Sequence, residues 1–140
     1  MSYSYSVSGL ATPKIFASPN DDILVVGARS ANHEVSVSTD KGANWTQVFA
    51  SMPIISAEFG PDGTTYLITS RKVPNVNSYN IDTLWKSSDG INWTNMGYKL
   101  KAGREEAEFC ISGSNVLLFP NGTGGTGTVV SRSTDNGATW

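Results

Sequence analysis

"STDKGANW", running from Ser38 to Trp45, gathers a hydroxyl, an acid, a glycine and a tryptophan into eight positions. It returns as "SSDGINW" at 87–93 and as "STDNGATW" at 133–140, so the stretch is a repeat and not a single site. The tryptophans mark the period, 48 residues from Trp45 to Trp93 and 47 from Trp93 to Trp140. Between them lie short alternating runs: "ILVVGARS", "EVSVST" and "WTQVFA", then "IISAEFG", "TYLITSR" and "TLWKSS", then "EFCIS", "NVLLF" and "TVVSRS". "SPNDD", "GPDGT", "SGSN" and "PNGTGGTG" separate them as turn signals, and helical periodicity is not evident.

A period of about 40–50 residues filled with short strands matches one propeller blade per repeat. The expected fold is therefore all-β: a β-propeller of four-stranded antiparallel blades with about three blades, at roughly 13–50, 54–99 and 107–140. The recurring motif falls between the third and fourth strands, where the chain must reverse. There Asp40, Asp89 and Asp135 accept hydrogen bonds from the backbone of their own turn. Gly42, Gly90 and Gly137 supply a positive φ that a β-carbon would penalise. Trp45, Trp93 and Trp140 open the fourth strand and bury a ring against the neighbouring sheet. Ser38, Ser133 and either Ser87 or Ser88 add a side-chain hydrogen bond across the hairpin. The middle copy is one residue shorter, with Asp89 and Gly90 adjacent, so its turn is expected to be tighter. An acid that occurs once per blade at equivalent positions cannot converge on one substrate, which makes the motif structural.

Composition narrows the function classes. The 140 residues are 39% hydrophobic and 16% charged with a net charge of -2, as in one globular domain of ordinary size. Ten scattered Lys and Arg against twelve acids form no basic stripe for a phosphate backbone, so nucleic acid is not expected as a partner. The longest conspicuous apolar runs, Ile23 to Val26 and Val116 to Phe119, are far too short to cross a bilayer as helices. "MSYSYSVSGL" lacks the basic n-region and apolar core of a signal peptide. Cys110 is the single cysteine, which excludes an intrachain disulfide; its apolar neighbours in "EFCIS" suggest a small core residue. His33 is also alone, which argues against a zinc site, and no cofactor is implied.

The pattern Ser-x-Asp-x-Gly-x-x-Trp resembles the Asp-box, or BNR repeat, of sialidases and related β-propellers. Ser38, Asp40, Gly42 and Trp45 match it fully, as do Ser133, Asp135, Gly137 and Trp140; Ser87, Asp89, Gly90 and Trp93 give the shortened form. The resemblance implies the propeller fold but leaves the activity open, because such boxes also occur in lectin-like, assembly-factor and virion proteins. A sialidase of this kind needs an arginine triad, a Tyr–Glu nucleophile pair and an aspartic acid/base. At the first triad position, usually an Arg-Ile-Pro signature, "TPKIFASP" offers only Lys14. Arg29 in "VVGARS" stands where the family often has a Gly-Arg pair, but the following "SANHEV" offers His33 and Glu34 in place of the acid/base. Glu105, Glu106 and Glu108 are candidates for the pairing glutamate, and the arginine expected after them is missing at Asn121 and Gly122. These 140 residues do not assemble a sialidase site.

Candidates for binding remain. Arg29 and Arg71 end strand-like runs in successive blades, and two guanidinium forks on one rim would hold a carboxylate or sulfate; the alternative is a surface arginine at each strand end. Tyr66, Tyr79 and Tyr98 offer faces for sugar rings, although their strand contexts favour packing. Lys99, Lys101, Arg104, Glu105, Glu106 and Glu108 read as a solvated loop between blades. Asn44, Asn92 and Asn121 begin Asn-x-Ser/Thr sequons, two of which follow from a Thr after the motif tryptophan.

Three blades leave an open wedge, and blade three stops at Trp140, before its fourth strand. "YSYSVSG" in residues 1–12 alternates as a strand would and is expected to complete another blade. Either the residues belong to a longer polypeptide, which the position of Trp140 favours, or further copies of the chain close the ring. The leading functional expectation is a non-enzymatic recognition or scaffold module, glycan-binding or part of an extracellular or virion appendage such as a phage fibre. The alternatives are a fragment of an exo-sialidase whose catalytic residues lie elsewhere, and an intracellular assembly factor.

Overall fold

Strands form where β-branched and apolar residues run together, and several of the described runs end at a glycine or Asx turn. A computed structural model describes residues 13–20, 22–28, 34–72, 80–100, 110–112, 117–121 and 129–140. Along these the strands are β1 (Pro13–Ala17), β2 (Leu24–Ala28), β3 (Val35–Ser38), β4 (Thr46–Phe49), β5 (Ile54–Phe59), β6 (Thr65–Lys72), β7 (Asn80–Ser87), β8 (Thr94–Leu100), β9 (Cys110–Ile111), β10 (Leu117–Asn121) and β11 (Val129–Ser133). No helix occurs among the described residues, so none is long and apolar enough to cross a membrane.

Successive strands pair antiparallel into two four-stranded meanders, β1-β2-β3-β4 and β5-β6-β7-β8, and a three-stranded one, β9-β10-β11. The first hairpin closes where Ser18 N–H donates to the Ile23 carbonyl and Ile23 N–H donates to Ser18 Oγ. Its counterpart in the second sheet turns on "GPDGT": Gly63 adopts φ 83° and Thr64 N–H donates to Asp62 Oδ1. Register shifts interrupt the ladders between Val35 and Ser36, Ile54 and Ser56, and Thr83 and Trp85. In the third sheet Ile111 and Cys110 of β9 pair with Leu117 and Leu118 of β10.

The second sheet is buried on both faces. Val25, Val35 and Val37 of the first sheet meet Ile54, Ala57 and Leu67 of the second, with Phe16 and Trp85 packed around them. On the opposite face Ile55, Tyr66, Ile68 and Leu84 carry Ile111 and Trp140 of the third sheet. The period-2 alternation along β6 is the cause, because Leu67 faces one neighbour while Tyr66 and Ile68 face the other. The first strands of the sheets lie side by side, β5 touching both β1 and β9. Lys14 ties one of these contacts by donating Nζ to the Ile55 carbonyl at 2.9 Å. At Gly27 the first two sheets approach closely: a β-carbon there would lie 2.7 Å from Ile54 Cγ2.

Several expectations from the sequence are corrected. Cys110 is exposed on β9 and is not a core residue, because its side chain falls on the side of the third sheet opposite to Ile111, where no described sheet packs. The fourth strands open at Thr46 and Thr94, one residue after the tryptophans, which remain part of the turn. Lys99 lies within β8 and not in a loop; Lys101, Arg104, Glu105, Glu106 and Glu108 fall outside the described residues. Residues 1–12, with the expected extra strand, also lie outside them.

Candidate functional site: three Ser–Asp turns

Each third strand ends on a buried serine whose hydroxyl organises the turn that follows. Ser38 Oγ donates to Asp40 Oδ1 at 2.8 Å and accepts from Gly42 N–H at 2.8 Å. Ser133 repeats both bonds at the same distances with Asp135 and Gly137. In the short copy Ser87 Oγ donates to Asp89 Oδ1 at 2.9 Å and accepts from Gly90 N–H at 2.8 Å, one residue sooner than in the others. Ser87 is therefore the residue of the motif, while Ser88 is exposed. The bonds run within the turn, not across the hairpin.

The carboxylates look inward to their own backbone. Asp40 accepts Asn44 N–H at 2.8 Å and the Asn44 amide at 2.6 Å. Asp89 accepts the N–H groups of Ile91 and Asn92 at 2.9 and 2.7 Å, and the Asn92 amide at 2.7 Å. Asp135 accepts Thr139 N–H at 2.8 Å and the Thr139 hydroxyl. Hydrogen bonds to the charged form favour it, so all three carboxyls ionise below the ordinary value. For Asp40 the Asn44 backbone bond leads; for Asp89 the Asn92 side chain leads and holds the carboxyl far below the usual range; for Asp135 the Thr139 hydroxyl leads and the value falls to about 2.

The glycines adopt φ 87°, 76° and 85° at Gly42, Gly90 and Gly137, as the sequence predicted. The two longer copies also hold their extra residue left-handed, Lys41 at φ 60° and Asn136 at φ 57°, a second strained position that the spacing alone did not indicate. Trp93 and Trp140 donate their indole N–H to the carbonyls of Gly90 and Gly137 at 2.9 and 3.1 Å. Both pack back onto the preceding sheet, Trp93 against Phe49 at 5.7 Å between ring centroids. Trp45, expected to be buried in the same way, is 40% exposed, because no described sheet precedes its own.

The structure leaves the three acids on three separate sheets, each engaged with its own turn. Among the described residues no cluster of His, Cys, Asp or Glu has the makings of a metal site. Lys14 is committed to the Ile55 carbonyl. Arg71 lies in β6 with its backbone opposite Ile81; Arg29 and His33 fall outside the described residues, and Glu34 is exposed. Tyr66 is fully buried, and burial, with a smaller contribution from Asp62, pushes its phenol up to about 12. Tyr79 lies outside the described residues, and Tyr98 lies in β8.

Sequence reasoning missed the residues that close the carboxylate ring, Asn44, Asn92 and Thr139. Their signal was present: each directly precedes the motif tryptophan and carries a short side chain with a hydrogen-bond donor. It also missed the aromatic junction of Phe49 with Trp85, 4.8 Å between centroids, in which Trp85 donates its indole N–H to Thr69 Oγ1 at 2.9 Å. No protein-family model and no curated protein matches the chain.

Proposed function

We propose that the three sheets are successive Asp-box β-propeller blades and that the chain is a non-enzymatic recognition or scaffold module, with a glycan as its ligand class and an extracellular or virion appendage as its setting. The observation that carries this reading is the engagement of all three motif carboxylates by their own turns, with hydrogen bonds of 2.6 to 2.9 Å. A general acid needs a raised value and a free path to substrate, whereas these carboxylates ionise below the ordinary range and point into backbone. The adjacent first strands and the doubly buried middle sheet support radial stacking of blades. Arg71 and Arg29 stay the basic candidates for an acidic sugar.

The test combines a glycan array with a fluorogenic sialoside assayed from about pH 4 to 8, where a carboxylate pair would operate. The expected result is retention of a defined glycan class without turnover. Hydrolysis above buffer that disappears in Glu106→Gln would reverse the reading.

A further inference from the structure

The third turn carries a dipeptide with chemistry of its own. Asn136 and Gly137 are adjacent, and in an Asn-Gly sequence the backbone nitrogen readily attacks the preceding side-chain amide, because glycine puts no side chain in the way. The fold requires the pair for another reason. Both residues are left-handed, φ 57° and 85°, and Ala138 N–H donates to the Asp135 carbonyl at 3.2 Å, so residues 135–138 form a type I′ turn. The other two motif turns lack the pair: Lys41 precedes Gly42, and Asp89, a carboxylate with no amine to lose, precedes Gly90.

We propose that Asn136 with Gly137 is a latent self-modification site, which the folded third turn holds inert and which opening of that turn converts to isoaspartate and aspartate. The Gly137 nitrogen gives up its proton and bonds to Asn136 Cγ; the Cγ–Nδ2 bond breaks, and ammonia leaves with that proton to close a cyclic imide. Water then opens the imide. Cleavage between the nitrogen and Cγ yields aspartate, and cleavage between the nitrogen and the main-chain carbonyl yields isoaspartate. Two features of the fold oppose the first step. Gly137 is buried and its N–H donates to Ser133 Oγ at 2.8 Å, so the nucleophile is shielded from base and not free to turn. In a type I′ turn the nitrogen after Asn136 also stands away from its Cβ, and reaching Cγ means rotating out of the turn, with loss of the Ala138 bond. Conversion runs one way. Isoaspartate adds a carbon atom to the backbone between Ser133 and Gly137, and the lengthened turn no longer fits the two bonds that Ser133 Oγ makes to Asp135 and Gly137.

The test incubates the full chain beside the free peptide of residues 133–140 at mildly alkaline pH. Tryptic cleavage after Arg132 releases the same residues from the chain, with Asn136 as their single asparagine, so the mass gain and the paired isoaspartate and aspartate peaks report this site alone. The folded chain is expected to convert more slowly than the peptide by about tenfold or more, the cost of a buried hydrogen bond read as a rate. Ser133→Ala removes the partner of Gly137 N–H and should bring the rate up toward that of the peptide. If that variant does not fold, Trp140→Phe takes its place, since it removes the indole bond to the Gly137 carbonyl and keeps an aromatic ring. Equal rates in folded chain and peptide, or a folded variant as slow as the wild type, overturn the proposal. An equal rise at Asn136 in folded Ser38→Ala, the same change in the first turn, places the gate in the stability of the whole chain and overturns it too.

Discussion

At the scale of single residues, the motif serine matters more for stability than the acid whose name the motif carries. Ser87 is buried and its hydroxyl is the partner of the buried Gly90 N–H, while Asp89 remains in contact with water. Ser87→Ala leaves that N–H without a partner away from solvent, which costs about 1–3 kcal/mol. Ser88→Ala, one residue on and exposed, removes nothing of the kind. Urea denaturation of both variants checks the expectation: a lowered midpoint for Ser87→Ala and an unchanged one for Ser88→Ala. Equal midpoints would show that the hydroxyl is not the centre of the turn.

At the scale of elements, close approach of neighbouring sheets is set by Gly27. Its partner across β1 is Lys14, and the room a side chain would occupy is filled from the second sheet by Ile54. Gly27→Ala therefore forces β2 and β5 apart and is expected to destabilise by about 1–3 kcal/mol, as overpacking does. Shortening the opposing side chain should relieve the clash, so that Gly27→Ala combined with Ile54→Ala costs less than the two changes separately. Additive losses in thermal melts would locate the strain elsewhere. In the sequence this glycine reads only as one small residue in "ILVVGARS", since nothing in the run reveals what lies across the sheet.

At the scale of the whole molecule, one depressed carboxylate sits in the last turn of each sheet, so acid acts on the entire stack. The sign follows from the direction of the shift. A carboxyl whose folded value is lowered favours the folded state when ionised; its contribution is complete above the ordinary value of 3.8 and declines as the pH falls through the folded value. For Asp135 that window runs from 3.8 down to about 2, and for Asp89 it extends lower. Thermal midpoints measured at descending pH should hold near neutrality and fall steeply below pH 3.8. In a chain carrying Asn at positions 40, 89 and 135 the fall should be shallower; an unchanged slope would remove the turns as its source.

What the sequence determined by itself is local. Ser-x-Asp with a following Gly and Trp specifies a turn through hydrogen bonds spanning four residues or fewer, and alternating β-branched runs specify strands, so turn positions, positive-φ glycines and the order of the strands were legible. What only the tertiary structure decided is which equivalent side chains are covered. Trp45 and Trp93 share one motif, yet one lies open and the other against Phe49; Cys110 sits among apolar neighbours in the chain and still faces out. Burial depends on whether another sheet lies within van der Waals reach, a property of the stack that no repeat carries in its own residues.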